Sequence, residues 1–280
     1  METKSKRLTI NTLIYCAYFV ILLFFLFPLF WVLSVSLKSI PELFASPLVW
    51  FSSNPQFSNY TYVIQKTEII NYLVNSIIIV IFTIFFTLLI AVPASYALSR
   101  YKFRLKKPFM LAILIFQMVS PVVVAIPLYR LFVQLGLINL HWSLILVYIA
   151  IQLPFTTWFL KGFFDTIPHT LDEAAIVDGC TRLQALCKVI LPVSTPGLAS
   201  AAILVGVLSW SQFVIPFILL DDNKLFPISV GLINLQSTAE AITLHYLAAA
   251  SIIAILPIII IFILLQRYIV GALTSGSVKE

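Results

Sequence analysis

The sequence predicts an all-α integral membrane protein with six transmembrane helices, and three observations carry that class. Of its 280 residues, 61% are hydrophobic and only 10% charged, whereas soluble domains are about half apolar and a quarter charged. The apolar residues fall in long unbroken runs, not in the short alternating segments of a membrane barrel. Six runs have about the ~20 residues that a helix needs to cross the hydrocarbon core: 12–37, 69–97, 108–128, 142–164, 198–219 and 246–267.

The first run is a span and not a cleaved leader. It continues unbroken from Leu13 to Leu37 with no small-residue cleavage site after it. Polar stretches separate the runs at 38–68, 98–107, 129–141, 165–197 and 220–245. The division expected is therefore an N-terminal tail 1–11, one membrane domain 12–268 containing the charged loop 165–197, and a C-terminal tail 269–280. No internal repeat is evident.

Orientation follows from the basic residues. Lys4, Lys6, Arg7, the Arg100–Lys107 cluster, Lys161, Arg182, Lys188, Arg267 and Lys279 lie on one side, together 13 of the 17. Basic loops stay inside, so both termini and the loop 165–197 are predicted to be cytoplasmic. The net charge of +6 is then a topology signal, and no nucleic acid is expected as a partner. Loops 38–68 and 220–245 are predicted to be external. Trp50, Phe51, Pro55, Phe57 and Tyr60 suggest that the first lies ordered along the membrane interface. Cys16, Cys180 and Cys187 fit no metal or redox spacing and read as free thiols.

The loop 165–197 holds the one structured, charged segment, DEAAIVDGCTRLQALCKVILP at 172–192. Pro168 blocks backward extension, and Thr170 with Glu173 has the spacing of a capping box, so a short helix is expected from about Leu171. Asp172 and Glu173 would sit in its first turn, where the helix dipole favours acids. Gly179 is expected to stop it in a left-handed conformation. Thr181 and Gln184 form a second capping box, opening a helix to about Leu191. Ala174, Ala175, Ile176, Leu183, Leu186 and Val189 give the pair an apolar side. Helices this short need a surface to dock on. The acids that lead the first one disfavour an anionic lipid surface and favour a basic groove on a protein.

Several chemistries are absent. No G-x-x-x-x-G-K-[ST] phosphate loop is present, so the chain is not expected to bind ATP or any other cofactor. The span interiors lack the ionisable residues of a proton or sodium relay. His141, His169 and His245 are scattered at span ends or loops, and no metal-ligand or catalytic set is evident.

Glu173-Ala174-Ala175, Gly179, Val189 and Leu191-Pro192, at these spacings in the cytoplasmic loop two spans from the C-terminus, resemble the EAA loop of ATP-binding-cassette importer permeases. Val189 stands where the family usually has Ile. Asn75-Ser76, Tyr96-Ala97-Leu98-Ser99-Arg100 and the ending from Gln266-Arg267 through Gly271 to Glu280 resemble the maltose-type branch, and within it the MalG-like six-span subunit. The resemblance implies a type I importer permease fold with cytoplasmic EAA coupling helices, in a bacterial or archaeal cytoplasmic (inner) membrane. It implies a second homologous permease (MalF-like), an ATPase homodimer (MalK-like) that binds the ATP and Mg, an extracytoplasmic solute-binding protein, and surrounding lipid. It assigns Asp172, Glu173, Ala174, Ala175, Asp178, Gly179, Arg182, Leu191 and Pro192 to coupling with the ATPase. The tail 271–280 would reach between the two ATPase subunits.

The same resemblance implies a sugar-like solute: a di- or oligosaccharide, a glucosylated polyol or a glycerol phosphate. A hydroxyl-rich solute needs hydrogen-bonding side chains, and the spans offer Asn75, Gln117, Gln152, Ser209, Trp210 and Gln212. Each of these could equally hold helices together. Loop 220–245, with Phe226–Gln236 forming a hairpin or short helix, is the candidate contact for the solute-binding protein, through Asn234 and Gln236. Two other classes compete: a self-contained secondary carrier for a neutral polar solute, which needs ion ligands and usually a repeat, and a membrane-embedded enzyme, which needs paired carboxylates or metal ligands.

Overall fold

The structure, a computed structural model, describes residues 4–237 and 244–275. The end of the tail and the side chains of Lys4, Lys6, Arg7, Gln236 and Arg267 lie outside the described residues. The described residues are helical, without strands. In chain order the helices are α1 (Lys4–Ser36), α2 (Ile40–Leu43), α3 (Ser58–Lys66), α4 (Ile69–Arg100), α5 (Lys106–Gln117), α6 (Pro121–Gln134) and α7 (His141–Phe164). There follow α8 (Thr170–Val177), the rod α9 (Arg182–Val193), α10 (Thr195–Trp210), α11 (Val214–Leu219), α12 (Ile228–Ser237) and α13 (Leu244–Ser275).

Four stretches are continuous, long and apolar enough to span a membrane: Asn11–Ser36, Ile69–Arg100, His141–Phe164 and Leu244–Leu264. The total rises to six if each of two bent pairs counts as one span. The expected third span is not continuous: α5 and α6 meet at 88°. Pro121 is the cause. Its ring forces Ser120 into an extended conformation (ψ 132°), and the Ser120 hydroxyl then caps α6 by accepting from the Val122 N–H at 3.3 Å. The fifth expected span also breaks, between Trp210 and Val214. Pro216 has no N–H to offer the Gln212 carbonyl four residues back. That carbonyl accepts instead from the Ser229 hydroxyl at 2.7 Å.

The chain divides into two compact units, 1–69 with 232–255 and 70–231 with 256–280. In the first, Trp50 packs edge-on to Trp31 and Phe51 to Phe30, and Tyr62 stacks on Tyr246. Lys38 is fully buried, its ammonium 4.8 Å from the Trp31 ring centre. His245 is buried rather than interfacial. The side chains of α1 from Leu13 to Phe27 are largely exposed, as lipid-facing or partner-facing residues would be. In the second unit, Ile79, Leu144, Ile145, Tyr148, Ile215 and Leu219 form one core cluster. Tyr96, Leu160, Phe164, Leu186, Ile190 and Ala201 form another. Helix α10 approaches α7 closely at Gly197, where an added Cβ would lie 2.5 Å from the Phe163 ring.

The loop 38–57 is knotted by one carboxylate. Glu42 accepts from the Ser39 N–H (3.0 Å), the Ser52 hydroxyl (2.9 Å) and the Ser53 N–H (3.3 Å). These bonds, that of Ser39 first and Ser52 next, hold its pKa down from 4.5 to about 2. Because the folded value is depressed, the knot's contribution is complete above about pH 4.5 and is lost as pH falls through about 2. Emission from Trp50 should therefore stay constant down to pH 4.5 and change below it; Glu42→Gln should show the altered emission already at neutral pH. A second expectation concerns Gly197. Gly197→Val overpacks the α7–α10 contact and should destabilise the protein by about 1–3 kcal/mol, read as a lower thermal midpoint in detergent.

Candidate functional site

The charged segment folds as a helix–glycine–helix unit, and two local expectations are met. Gly179 has φ +83°, in the left-handed region where only glycine is unstrained. Thr181 and Gln184 cap reciprocally: the Thr181 hydroxyl accepts from the Gln184 N–H at 3.3 Å, and the Gln184 side chain accepts from the Thr181 N–H at 2.9 Å. The rod α9 contains a π-turn at Leu186–Ile190, in the turn before Pro192, which cannot donate a helical hydrogen bond.

The first capping box does not form. His169 is helical and occupies the cap position, and Thr170 is already inside α8 with no capping hydrogen bond. Glu173 is exposed, so it does not hold the helix start. Asp172 does the structural work in its place. It is 3% exposed and pairs with the buried Arg100 guanidinium at 2.8 Å. The Tyr96 hydroxyl donates to its other oxygen at 2.5 Å. Arg100 also donates to the carbonyls of Phe164 and Ile167, each at 3.1 Å. One guanidinium thus ties together the end of α4, the end of α7 and the first turn of α8.

This clamp divides the residues assigned to coupling. Asp172 and Ala175 face inward, whereas Glu173, Ala174, Asp178, Gly179 and Arg182 are exposed, as are the neighbouring Ile176 and Val177. Of the apolar side expected to dock, Ala175 and Leu186 are buried against the bundle together with Ala185 and Ile190, while Ala174, Ile176 and Leu183 are exposed. Leu191 lines an apolar groove of about 640 Å³ with Leu88 and Val92 of α4, and Pro192 is exposed.

The polar residues of the spans separate in the same way. Gln117, Gln152 and Gln212 line one cleft of about 220 Å³, together with Tyr148, Phe155 and Ser211. Ser209 lies behind it and accepts from the Gln152 amide at 2.6 Å. Asn75 does not reach the cleft. Its amide donates to the carbonyls of Lys224 (2.8 Å) and Phe226 (3.1 Å), which fastens a loop. Trp210 lines a different, wholly apolar cavity of about 80 Å³ with Val80, Gly206 and Ile258.

Loop 220–227 is stitched down by four side chains. Besides Asn75, Tyr72 donates to Asn223, His141 bonds the Leu225 carbonyl at 3.0 Å, and Asn139 accepts from the Asp221 N–H at 2.6 Å. Asn139 adopts a left-handed conformation (φ 60°), which asparagine tolerates. Sequence reading singled out neither Asn139 nor Tyr72; turn chemistry at Gly136–Asn139 was the signal available. The loop leads into α12, the short helix expected there, on which Asn234 is partly buried.

A bundle of long apolar helices carrying one braced, outward-facing helix defines a multi-pass membrane protein. Residues 88–275 match the family of binding-protein-dependent transport system inner membrane components, and the chain belongs to that family. It is similar to the trehalose/maltose transport system permease protein MalG of Thermococcus litoralis, 35% identical over 91% of both chains. It is also similar to the sulfoquinovosyl glycerol transport system permease protein SmoH of Agrobacterium fabrum, 34% identical over 91% of this chain and 89% of the relative. The fold matches that of a bacterial ABC transporter involved in the import of the acidic polysaccharide alginate, with a TM-score of 0.81, 23% identity, and coverage of 96% of this chain and 99% of the other. The chain is thus an inner-membrane permease component of an ABC importer, and the carrier and enzyme readings fall.

Removing one member of the buried pair strands the other. Asp172→Asn and Arg100→Met should each destabilise the protein by about 3–5 kcal/mol, and the double variant by clearly less than the two together. Thermal midpoints in a double-mutant cycle measure this; costs that add to within about 0.5 kcal/mol would show that the two residues do not act as a pair.

Proposed function

We propose that this chain forms half of the translocation path of an ATP-driven importer for a neutral, hydroxyl-rich solute of the oligosaccharide class. The other half is a second, homologous permease. An ATPase homodimer binds the nucleotide and docks on α8 from the cytoplasm, where both termini also lie. An extracytoplasmic solute-binding protein delivers the solute to the opposite face.

The observation that carries the coupling role is α8 itself. Its inner side is bolted to α4 and α7 through Asp172 and Arg100, while Glu173 and Val177 stand outward, Val177 at 86% exposure. An apolar residue that open, beside an acid and on a helix too short to stand alone, suits a groove on a partner. A push on that face passes directly into two membrane helices. The solute class is supported by the relatives, whose printed names include trehalose/maltose, diacetylchitobiose and arabinooligosaccharide systems. The rigid loop 220–227, with Asp221, Asp222 and Lys224 exposed, is the surface offered to the solute-binding protein, and Asn234 and Gln236 follow on α12.

Glu173→Ala tests the docking face, because Glu173 makes no capping bond and its loss should leave the fold intact. In the reconstituted complex we expect solute-stimulated ATP hydrolysis to fall about tenfold, as for a docking residue worth ~1.4 kcal/mol, with an unchanged thermal midpoint of the permease. Wild-type stimulation with normal subunit stoichiometry would refute the role.

A further inference from the structure

The segment Tyr-Lys-Phe-Arg-Leu-Lys-Lys at 101–107 joins α4 to α5, and it exposes side chains of two kinds. Tyr101, Phe103 and Leu105 are 45%, 46% and 68% exposed. Lys102, Arg104 and Lys107 are exposed and Lys106 partly so. None of these four cations meets a carboxylate among the described residues. The chain has no Asp or Glu from 69 to 164. The two acids beside the end of α4 are engaged elsewhere: Asp165 by Lys161 and Ser99, Asp172 by Arg100.

The depth of the segment follows from the helices at its ends. Gln117, the last residue of α5, shares a cleft with Gln152, which stands at the middle of the 24-residue α7. Lys106 opens α5 eleven residues before Gln117, about 16 Å along its axis, which is half of a ~30 Å hydrocarbon layer. On the other side, α4 is a continuous apolar span that ends at Arg100. The segment is therefore held at the boundary between acyl chains and headgroups.

The bland account of the cations is topology: basic loops stay inside. It accounts for their sign and leaves two features over. Three large apolar side chains alternate with the cations and stay uncovered by protein. And α5 begins with Lys106 and Lys107, with no acid in its first turn and no side-chain cap, although the dipole of a helix disfavours cations at that end. A layer of anions outside the protein relieves the second feature, and an acyl layer beneath it covers the first.

We infer that residues 101–107 dock anionic phospholipid headgroups, with Lys102, Arg104, Lys106 and Lys107 pairing with lipid phosphates while Tyr101, Phe103 and Leu105 enter the acyl boundary. Such a mixture of basic and aromatic side chains suits that interface. Arg100 adjoins the segment and clamps α4 to α8, so lipids held here brace the end of α4 at the joint. The inference goes beyond the importer reading and needs only that the chain spans a bilayer.

The test uses the native assembly purified through this chain, with Cys16, Cys180 and Cys187 replaced by Ser and a bimane attached at Leu105→Cys, in phosphatidylcholine nanodiscs. Phosphatidylglycerol or phosphatidylcholine, each carrying a nitroxide on the same acyl-chain carbon, is added at low mole fraction, so that the two quenchers differ only in the headgroup. The phosphatidylglycerol should quench about fivefold more strongly, the local enrichment that ~1 kcal/mol of attraction gives. The excess should shrink as salt is raised, because exposed charges are screened. Combining Lys102→Gln, Arg104→Gln, Lys106→Gln and Lys107→Gln should bring the two lipids level, whereas Lys→Arg at the three lysines should keep the difference. With all four cations present, equal quenching by both lipids overturns the proposal, and this comparison decides even if the Gln variant does not assemble. Quenching by neither lipid also overturns it, since protein then covers the segment. An excess abolished by millimolar glycerol phosphate would mark a site for a soluble anion and would overturn lipid docking as well.

Discussion

No water reaches the hydrocarbon interior to bond a stray N–H or C=O, so every backbone polar group there must find its partner within protein. That constraint turns each apolar run of this chain into helix, and it makes every interruption informative. The break at Met118–Ser120 is closed by the Ser120 cap. The break at Ser211–Phe213 is closed when Ser229 donates to the Gln212 carbonyl. Ser120 satisfies a free N–H at the start of the helix that Pro121 opens, and Ser229, distant in the sequence, satisfies the carbonyl that Pro216 leaves without a helical partner. The second interruption, through Ser211 and Gln212, and the last residue of α5, Gln117, line the same polar cleft.

A second constraint acts where the bundle meets the charged segment. A short helix has little stability alone, and α8 gains its place through one guanidinium that addresses three elements at once. Arg100 is expensive to bury and would be a liability unpaired. Paired with Asp172 and donating to two carbonyls, it ties α4, α7 and α8 to one another. This is the property that a force-transmitting joint needs. The exposed side of α8 carries an acid and an apolar residue, Glu173 and Val177.

The opposite loop is treated by the same logic. Asn75 and Tyr72, together with His141 and Asn139, spend their polar groups on loop backbone or on Asn223. A loop fastened at so many points presents a fixed surface rather than a flexible tether.

The sequence by itself determined the class, the spans that are continuous, the Gly179 turn, the Thr181–Gln184 cap and the family, because each depends on near neighbours: hydrophobic run length, a residue's own backbone freedom, a three-residue spacing. It could not separate Asp172 from Glu173. Both are acids in the first turn of one helix, and only the position of Arg100, 72 residues earlier in the chain, makes one a buried bolt and the other a free face. It could not sort Asn75 from Gln152 either, since an amide's role depends on what its two ends meet. Asn75 donates to loop carbonyls, while Gln152 meets Ser209 on one side and an open cleft on the other. Tertiary packing decides such cases, because hydrogen bonds and ion pairs are satisfied in space and not along the chain.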